Sequence, residues 1–540
     1  MSDYLERWKL RFEGKDWVPW LILALAAFLR FFLLGIKPPH FDEGINGWFV
    51  DQVMKNGFYR YDPTNYHGPL HFYVLLLSES LFGRNLWALR LPVVLVSIGC
   101  VWLALKFEPF VGKNVSRIAA LAMALSPGFV FYGRYAIHEV WLQFFSMIFI
   151  LGLLGLWRRG TLTYLWCAGV GLTGMILTKE TYAIHVACAL LAIPTVAISY
   201  ALNRVPDAKP AKQTWSWIDL AMIMIVGGFA IVFFYSGTFF NWSGVKGLYL
   251  AFKAWTETGA AGHGHEKAWD YWLKLMGPLP DVGGNDSPLQ RLRNGRADAF
   301  GYELPMLAGL ILCAFCQKFK NLNLRYLAIY GVGVLFVYSI IPYKTPWCII
   351  SINWPFLFLG AAALVFLWDN LPGFTRYISV VVGLFLFGHL AYKSYGLNFV
   401  HYDDPKELYA YVQTYRDYRK FVDPILQKLR LDPSAKRHLH GLILLDSYFP
   451  IPWVIDEIPE IGYYSEGPDK WPKDLNADFI AALDSDSSDV ENRLTKKYFV
   501  ETFRLRDGMD PCKAYFKYDT FKEVFPGRQP DFDPSNRPQE

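Results

Sequence analysis

From Trp17 to about Tyr395 the chain consists of apolar runs of close to twenty residues separated by short polar connections, and this repetition limits the fold more than any other feature. A helix of ~20 residues is about 30 Å long, the thickness of a bilayer core, and in hydrocarbon only a helix or a closed barrel satisfies its own backbone. The runs lie near 17–36, 88–107, 117–133, 138–157, 163–179, 181–200, 217–240, 303–316, 326–342, 347–368 and 376–395, which predicts about eleven transmembrane helices. A shorter apolar piece, residues 69–82, contains Glu79 and reads as an interfacial helix lying along the membrane.

The soluble remainder follows the last run. Of 540 residues, 53% are hydrophobic and 19% charged, and the polar share is concentrated after residue 395. Residues 1–395 therefore read as a membrane domain, with a first outer loop at 37–87 and a long outer loop at 241–302. In residues 396–525, LYAYVQTYRDYRKFVDPILQKL has the pattern of a helix, and HGLILLD, FIAALDS and KKYFVETFRLR those of strands. This alternation predicts a small α/β domain, and the Pro- and Asp-rich segment 526–540 reads as a disordered tail.

Charge sets the orientation. With the N-terminus in the cytoplasm, the cytoplasmic loops carry Lys106, Lys113 and Arg117; Arg158 and Arg159; Arg204, Lys209 and Lys212; Lys318, Lys320 and Arg325; and Arg376, with few acids. Loop after loop this is the positive-inside pattern, so the C-terminal domain is expected outside a prokaryotic cell membrane. Treating 69–82 as a span would invert every later loop. The net charge of +5 is small for this length and lies in these loops, which leaves no nucleic-acid footprint.

Six of the seven cysteines lie in or beside apolar runs and only Cys512 is in the soluble part, so no disulfide is expected within that part. Neither His67 with His71 nor His263 with His265 comes with a carboxylate at ligand spacing, and no metal site is expected. The N-terminal segment carries mixed charge and no small-residue cleavage site, the pattern of an anchor and not of a cleaved leader.

The same topology gathers unusual groups on the outer face: Asp42 and Glu43, Arg134 with His138 and Glu139, Lys179 and Glu180, and Lys344. Ionisable residues near a bilayer cost a few kcal/mol unless they snorkel, pair or line a wet cavity, so their clustering at one surface marks a polar site. Asp42 and Glu43 follow Pro38-Pro39 and precede Gly44, where an apolar helix has to stop and the chain enters water.

With those residues in place, the membrane part resembles the GT-C superfamily of polyprenyl-phosphate-sugar-dependent glycosyltransferases, in its protein-mannosyltransferase and aminoarabinose-transferase branch. The matching features are Asp42-Glu43 in the first outer loop, the interfacial helix after HGPLH, and SPGFVFYGRYAIHE, where the family has an arginine and then a second acid. That acid is Glu139 here, where aspartate is more usual. AYVQTYRD, PIPWVIDEIPEIGYY and YKTPW look like a prokaryotic subfamily named as flippase-activity-associated membrane proteins.

The resemblance implies sugar transfer from a lipid-phosphate donor to a protein, lipid or glycan acceptor at the membrane, with no further cofactor. A leaving phosphate needs cations, and an acceptor hydroxyl needs a carboxylate. Asp42 is expected to act as general base and Glu139 as a second acid, with Glu43 beside them. Arg134 and Lys179 are expected on the donor phosphate, with Lys344 and His67 as further candidates. The competing readings are a lipid-linked-glycan transport component and a scaffold; against transport, the chain has no inverted repeat of broken spans.

Overall fold

The structure, a computed structural model, describes residues 16–65, 67–205, 210–262, 264–277, 301–455 and 458–536. The chain divides into two units. One comprises residues 1–34, 58–83 and 90–400, the other residues 35–57, 84–89 and 401–540.

Among the described residues, seven helices are long and apolar enough to cross a membrane: Leu86–Val111, Glu139–Arg158, Tyr182–Leu202, Trp217–Tyr235, Leu322–Ile340, Pro346–Asn370 and Gly373–Val400. Shorter apolar helices occupy Val18–Phe31, Leu70–Phe82, Leu162–Ile176 and Leu304–Cys313. Leu70–Phe82, at 13 residues, is about 20 Å long, short of a bilayer core. The run predicted at 117–133 is broken into Lys113–Leu125 and Pro127–Tyr132. Pro127 cannot donate to the helical ladder, and Ser126 starts a new helix by accepting from the Phe129 N–H. Long range, Glu303 fixes this break: its carboxylate accepts from Ser126 Oγ at 2.7 Å and from the Gly128 N–H at 2.8 Å.

Helices Glu139–Arg158 and Leu162–Ile176 form a tight antiparallel hairpin. A Cβ added at Gly152 would collide with the backbone of Ala168, and one at Gly171 with the backbone of Phe149, so the two helices approach as closely as small residues allow. A three-residue connection joins them, and Glu139, which opens the first, and Lys179, which follows the second, fall at the same end. Fully buried arginines close other helix ends. Arg30 donates to the Met123 and Ala124 carbonyls that end Lys113–Leu125, and Arg134 donates to Leu29 and Leu33 at the end of the first apolar helix. A cation is favoured there because helix C-terminal carbonyls carry partial negative charge.

The second unit contains a five-stranded sheet. Strands β1 (His440–Leu444), β2 (Glu460–Tyr463), β3 (Phe479–Leu483), β4 (Tyr498–Phe503) and β5 (Cys512–Lys517) lie in the order β2-β1-β3-β5-β4. β1 is parallel to β2 and β3, whereas β5 is antiparallel to β3 and β4. Alternation along the strands builds two cores. Phe421, Val422 and Ile425 of helix Arg419–Leu431 cover Phe479, Phe499 and Phe516 on one face, while Ile480 and Tyr515 face Val490 and Leu494 on the other.

Three expectations are corrected. The helix predicted from about residue 408 begins only at Arg419. The segment expected to be disordered is packed as far as residue 536: Phe532 exchanges two backbone hydrogen bonds with Tyr498, and Arg528 binds Glu501 and Asp531. Part of the first outer loop, assigned above to the membrane domain, belongs to this second unit. Its helix Phe41–Asn56 brings Gly47 against Trp453, where a Cβ would strike the indole. Arg84 then binds Asp51 in a bidentate pair at 2.8 and 2.9 Å and lies 5.2 Å over the Trp453 ring.

Candidate functional site

The predicted residues divide between the units, Asp42 and Glu43 in the second and the other five in the first. In the second, the acids open helix Phe41–Asn56. Glu43 is buried and accepts the His40 N–H at 2.9 Å, while His40 Nδ1 accepts the Asp42 N–H at 3.1 Å. This is a reciprocal capping box with histidine where serine or threonine is usual. An Nδ1 that accepts is unprotonated, so His40 is the neutral Nε2–H tautomer and donates from Nε2 to the Tyr411 carbonyl at 2.9 Å. Its 3.9 Å approach to Asp42 is therefore no ion pair.

Glu43 is spent on the backbone; Asp42 is not. The Asp42 side chain is 33% exposed, at the positive end of a four-turn helix. A cation attracted to it is Arg506, which had not been singled out from the sequence. Its guanidinium lies 4.5 Å over the Phe41 ring and donates to the Phe449 and Ser447 carbonyls at 2.9 and 3.0 Å. Burial pushes Arg506 down to about 10, and attraction to the Asp42 carboxylate opposes that shift. No spacing signal could have found Arg506, because its partners come from a distant loop.

In the first unit, Glu139 is buried and binds the Lys179 ammonium and the Ser351 hydroxyl. Beside it, Cys348 Sγ lies 3.8 Å from Glu139 Oε2. Glu180, the next residue along, takes a different partner: its Oε2 is 3.0 Å from His67 Nδ1. Backbone pairing makes this contact possible, since Gly68 and Leu70 donate to the carbonyls of Thr178 and Leu177, an approach that a Cβ on Gly68 would block. The His138 ring lies close to those of His67 and His71, tilted against both, with centroids 4.6 and 4.3 Å away. His71 in turn accepts from Trp141 Nε1 at 2.9 Å and points Nε2 at the Ala136 carbonyl. His263 lies outside the described residues.

The structure thus joins Lys179 to Glu139 and brings His67 to the wall of the same cavity. The other two cations are engaged elsewhere. Arg134 holds Leu29 and Leu33 and lies 4.8 Å over the Phe399 ring, and Lys344 donates to the Lys267 and Ile341 carbonyls. Ser351 and Glu180 complete the cluster. Glu180 stood in the sequence beside Lys179, whereas Ser351 had no signal of its own.

A polytopic helical protein with a small appended α/β sheet has the architecture of the GT-C fold. Its fold matches ArnT from Cupriavidus metallidurans, crystallised with undecaprenyl phosphate, at a TM-score of 0.55 and 14% identity, over 92% of this chain and 97% of that one. It also matches the Archaeoglobus fulgidus oligosaccharyltransferase tethered with an acceptor peptide, at a TM-score of 0.50 and 13% identity, over 94% of this chain and 75% of that one. Residues 66–235 match the family described as dolichyl-phosphate-mannose-protein mannosyltransferase, a segment that contains His67, Arg134, Glu139 and Lys179. The chain is 26% identical to the candidate mannosyltransferases YkcB and YycA of Bacillus subtilis (strain 168), over 38% of its length in each case. It spans about a third of the length of these curated relatives, 34% and 30%.

Proposed function

We propose that this protein transfers a sugar from a polyprenyl-phosphate-linked donor to a protein, lipid or glycan acceptor on the outer face of a prokaryotic cell membrane. The observation that carries the reading is Asp42, an acid one-third exposed in the first turn of helix Phe41–Asn56, where an acceptor hydroxyl can reach it. Asp42 takes the proton of the acceptor hydroxyl as that oxygen attacks the anomeric carbon. The bond from that carbon to the phosphate oxygen breaks, and polyprenyl phosphate leaves with one further negative charge. General-base help of this kind contributes ~10²–10⁴-fold.

Lys179 supplies positive charge and His67 a hydrogen-bond donor for the leaving phosphate, and Arg134 and Lys344 support them by holding the adjoining backbone. Glu139 orients the acceptor side through Lys179, and Glu43 fixes the helix start on which Asp42 sits. Phosphate held by cations can leave without a metal, so a chelator is expected to leave the rate unchanged. Undecaprenyl phosphate in one structural relative and an acceptor peptide in another support a lipid donor and a macromolecular acceptor.

The test is transfer by purified protein from polyprenyl-phosphate mannose, with Asp42→Asn beside wild type. A fall of ~10²–10⁴-fold with donor binding kept is the expected result. Full activity of the variant would remove the base. No transfer by wild type from any lipid-phosphate sugar would favour a transport component, which tolerates Asp42→Asn. Outer-face labelling at Lys55→Cys and not at Asn114→Cys, both exposed positions, tests the orientation.

A further inference from the structure

The first unit holds a cavity whose inner wall is formed by His67, Lys179, Glu180, Thr181 and Tyr338. Its enclosed volume of about 60 Å³ admits a few water-sized groups, too little for a whole hexose ring and enough for one edge of it. Wall chemistry decides what that edge must be. Lys179 is already bound to Glu139, so the neighbouring Glu180 has His67 as its hydrogen-bond partner, on Oε2, and Oε1 accepts no hydrogen bond from the described residues. Thr181 and Tyr338 are buried, and their hydroxyls, near enough to influence each other, have no partner at hydrogen-bond geometry among the described residues. Half-buried Trp255, Tyr343 and Trp347 add flat apolar rings.

A carboxylate can only accept, and hydroxyls both donate and accept. Buried hydroxyls left without partners cost about 1–3 kcal/mol each, so their retention on a cavity wall points to a ligand that supplies the missing bonds. Glu180 makes this part of the wall a poor seat for a second anion. A sugar edge fits: its hydroxyls donate to Glu180 and pair with Thr181 and Tyr338, while aromatic rings cover its C–H surface.

We propose that this cavity reads the hydroxyls of the donor sugar, with Glu180, Thr181 and Tyr338 as its specificity-determining residues. Lys179, shared between Glu139 and the cavity, marks the junction of sugar and phosphate. The proposal rests on the reading of the ligand as a lipid-phosphate sugar and goes beyond it by assigning sugar recognition to named groups. Sites built to bond a hydroxyl discriminate strongly against ligands that lack it, because their own polar groups are then stranded.

The experiment is equilibrium binding of three lipids to the full-length protein in nanodiscs: polyprenyl-phosphate mannose, polyprenyl-phosphate glucose and sugar-free polyprenyl phosphate. Wild type is expected to bind one sugar lipid about 10-fold or more tighter than the sugar-free lipid. Glu180→Gln and the near-isosteric Thr181→Val should each erase most of that advantage and change the mannose-to-glucose ratio, while sugar-free affinity of Thr181→Val stays within about twofold. Unchanged sugar-free binding also certifies that a variant is folded. Parallel loss of all three lipids by Thr181→Val, or an unaltered mannose-to-glucose ratio in both variants, would overturn the assignment. If wild type bound none of the three, the lipid-phosphate donor itself would fall; if it bound all three equally, only sugar reading would.

Discussion

Asp42 and Glu139 are both acids that open a helix, yet the surroundings of the two differ in almost every respect. Asp42 is partly solvated on a helix whose start is closed by His40 and Glu43, and Arg506, a cation attracted to it, is held by carbonyls and an aromatic ring. Glu139 is buried and committed to Lys179 and Ser351. A carboxylate with water access can exchange a proton at little structural cost. A buried, paired carboxylate keeps its charge and transmits position, because losing it strands a cation in a medium of low dielectric. On the proposed function, Asp42 is accordingly the acid that does the chemistry and Glu139 the one that holds position.

The largest effect should come from breaking the buried pair. Glu139→Ala leaves Lys179 buried and uncompensated and should cost about 3–5 kcal/mol, whereas Asp42→Ala should stay within about 0.5 kcal/mol, as surface substitutions do. Thermal unfolding in detergent measures both. Equal destabilisation would erase the distinction between the two acids. Converting the pair together, with Glu139→Gln and Lys179→Met, should recover part of the loss.

Next in size is Arg506→Ala. It removes two charge-assisted bonds to carbonyls and the stacking on Phe41, about 1.5–3 kcal/mol in all. Hydrogen exchange across residues 41–56 should rise and transfer should slow. Arg506→Lys should restore little, since an ammonium cannot reproduce a planar fork that stacks and binds two carbonyls. Unchanged exchange in that helix would show that Arg506 does not hold it.

A smaller effect is expected at Glu43. Glu43→Gln keeps an acceptor for the His40 N–H and loses only the charge at the helix N-terminus, about 0.3–1 kcal/mol, so its transfer rate should exceed that of Asp42→Asn by ten-fold or more. Similar rates would make Glu43 a partner in the proton chemistry. The smallest effect concerns the C-terminal segment, where Lys497 and Ser535 hold Asp533 down to about 2. A lowered carboxylate stabilises above its unfolded value, near 3.9, and loses that contribution as pH falls through about 2. Exchange of residues 526–536 should therefore increase between pH 4 and pH 2 and remain flat from pH 5 to pH 8.

Much of the fold is local and was legible in the sequence. Each predicted apolar run contains a helix, since a bilayer imposes one length and one backbone solution on every segment that crosses it. Strands β1, β3 and β4 were legible for a similar reason, as short apolar runs between turn residues. β2, with the polar start EIGY, and β5, CKAYFK, lack such runs and became strands only by pairing with neighbours already in place. The C-terminal segment misled for the converse reason: its composition is that of a disordered tail, but Tyr498 and Glu501 on β4 supply partners for Phe532 and Arg528.

At the site, residue type and topology were enough to single out Asp42, Glu43, Arg134, Glu139, Lys179, Lys344 and His67. Which of them are free to act was decided by tertiary structure alone. Arg134 and Lys344 look alike in sequence to a phosphate ligand, yet both donate to backbone carbonyls; Lys179 has a carboxylate, and Glu43 has a backbone amide. Arg506, Ser351 and the unpaired hydroxyls of Thr181 and Tyr338 carried no local signal. The physical reason is the range of the interactions. Helix formation in a membrane depends on neighbours a few residues away, whereas the charge state and hydrogen bonding of a buried group depend on whatever the fold brings within about 4 Å of it, from anywhere in the chain.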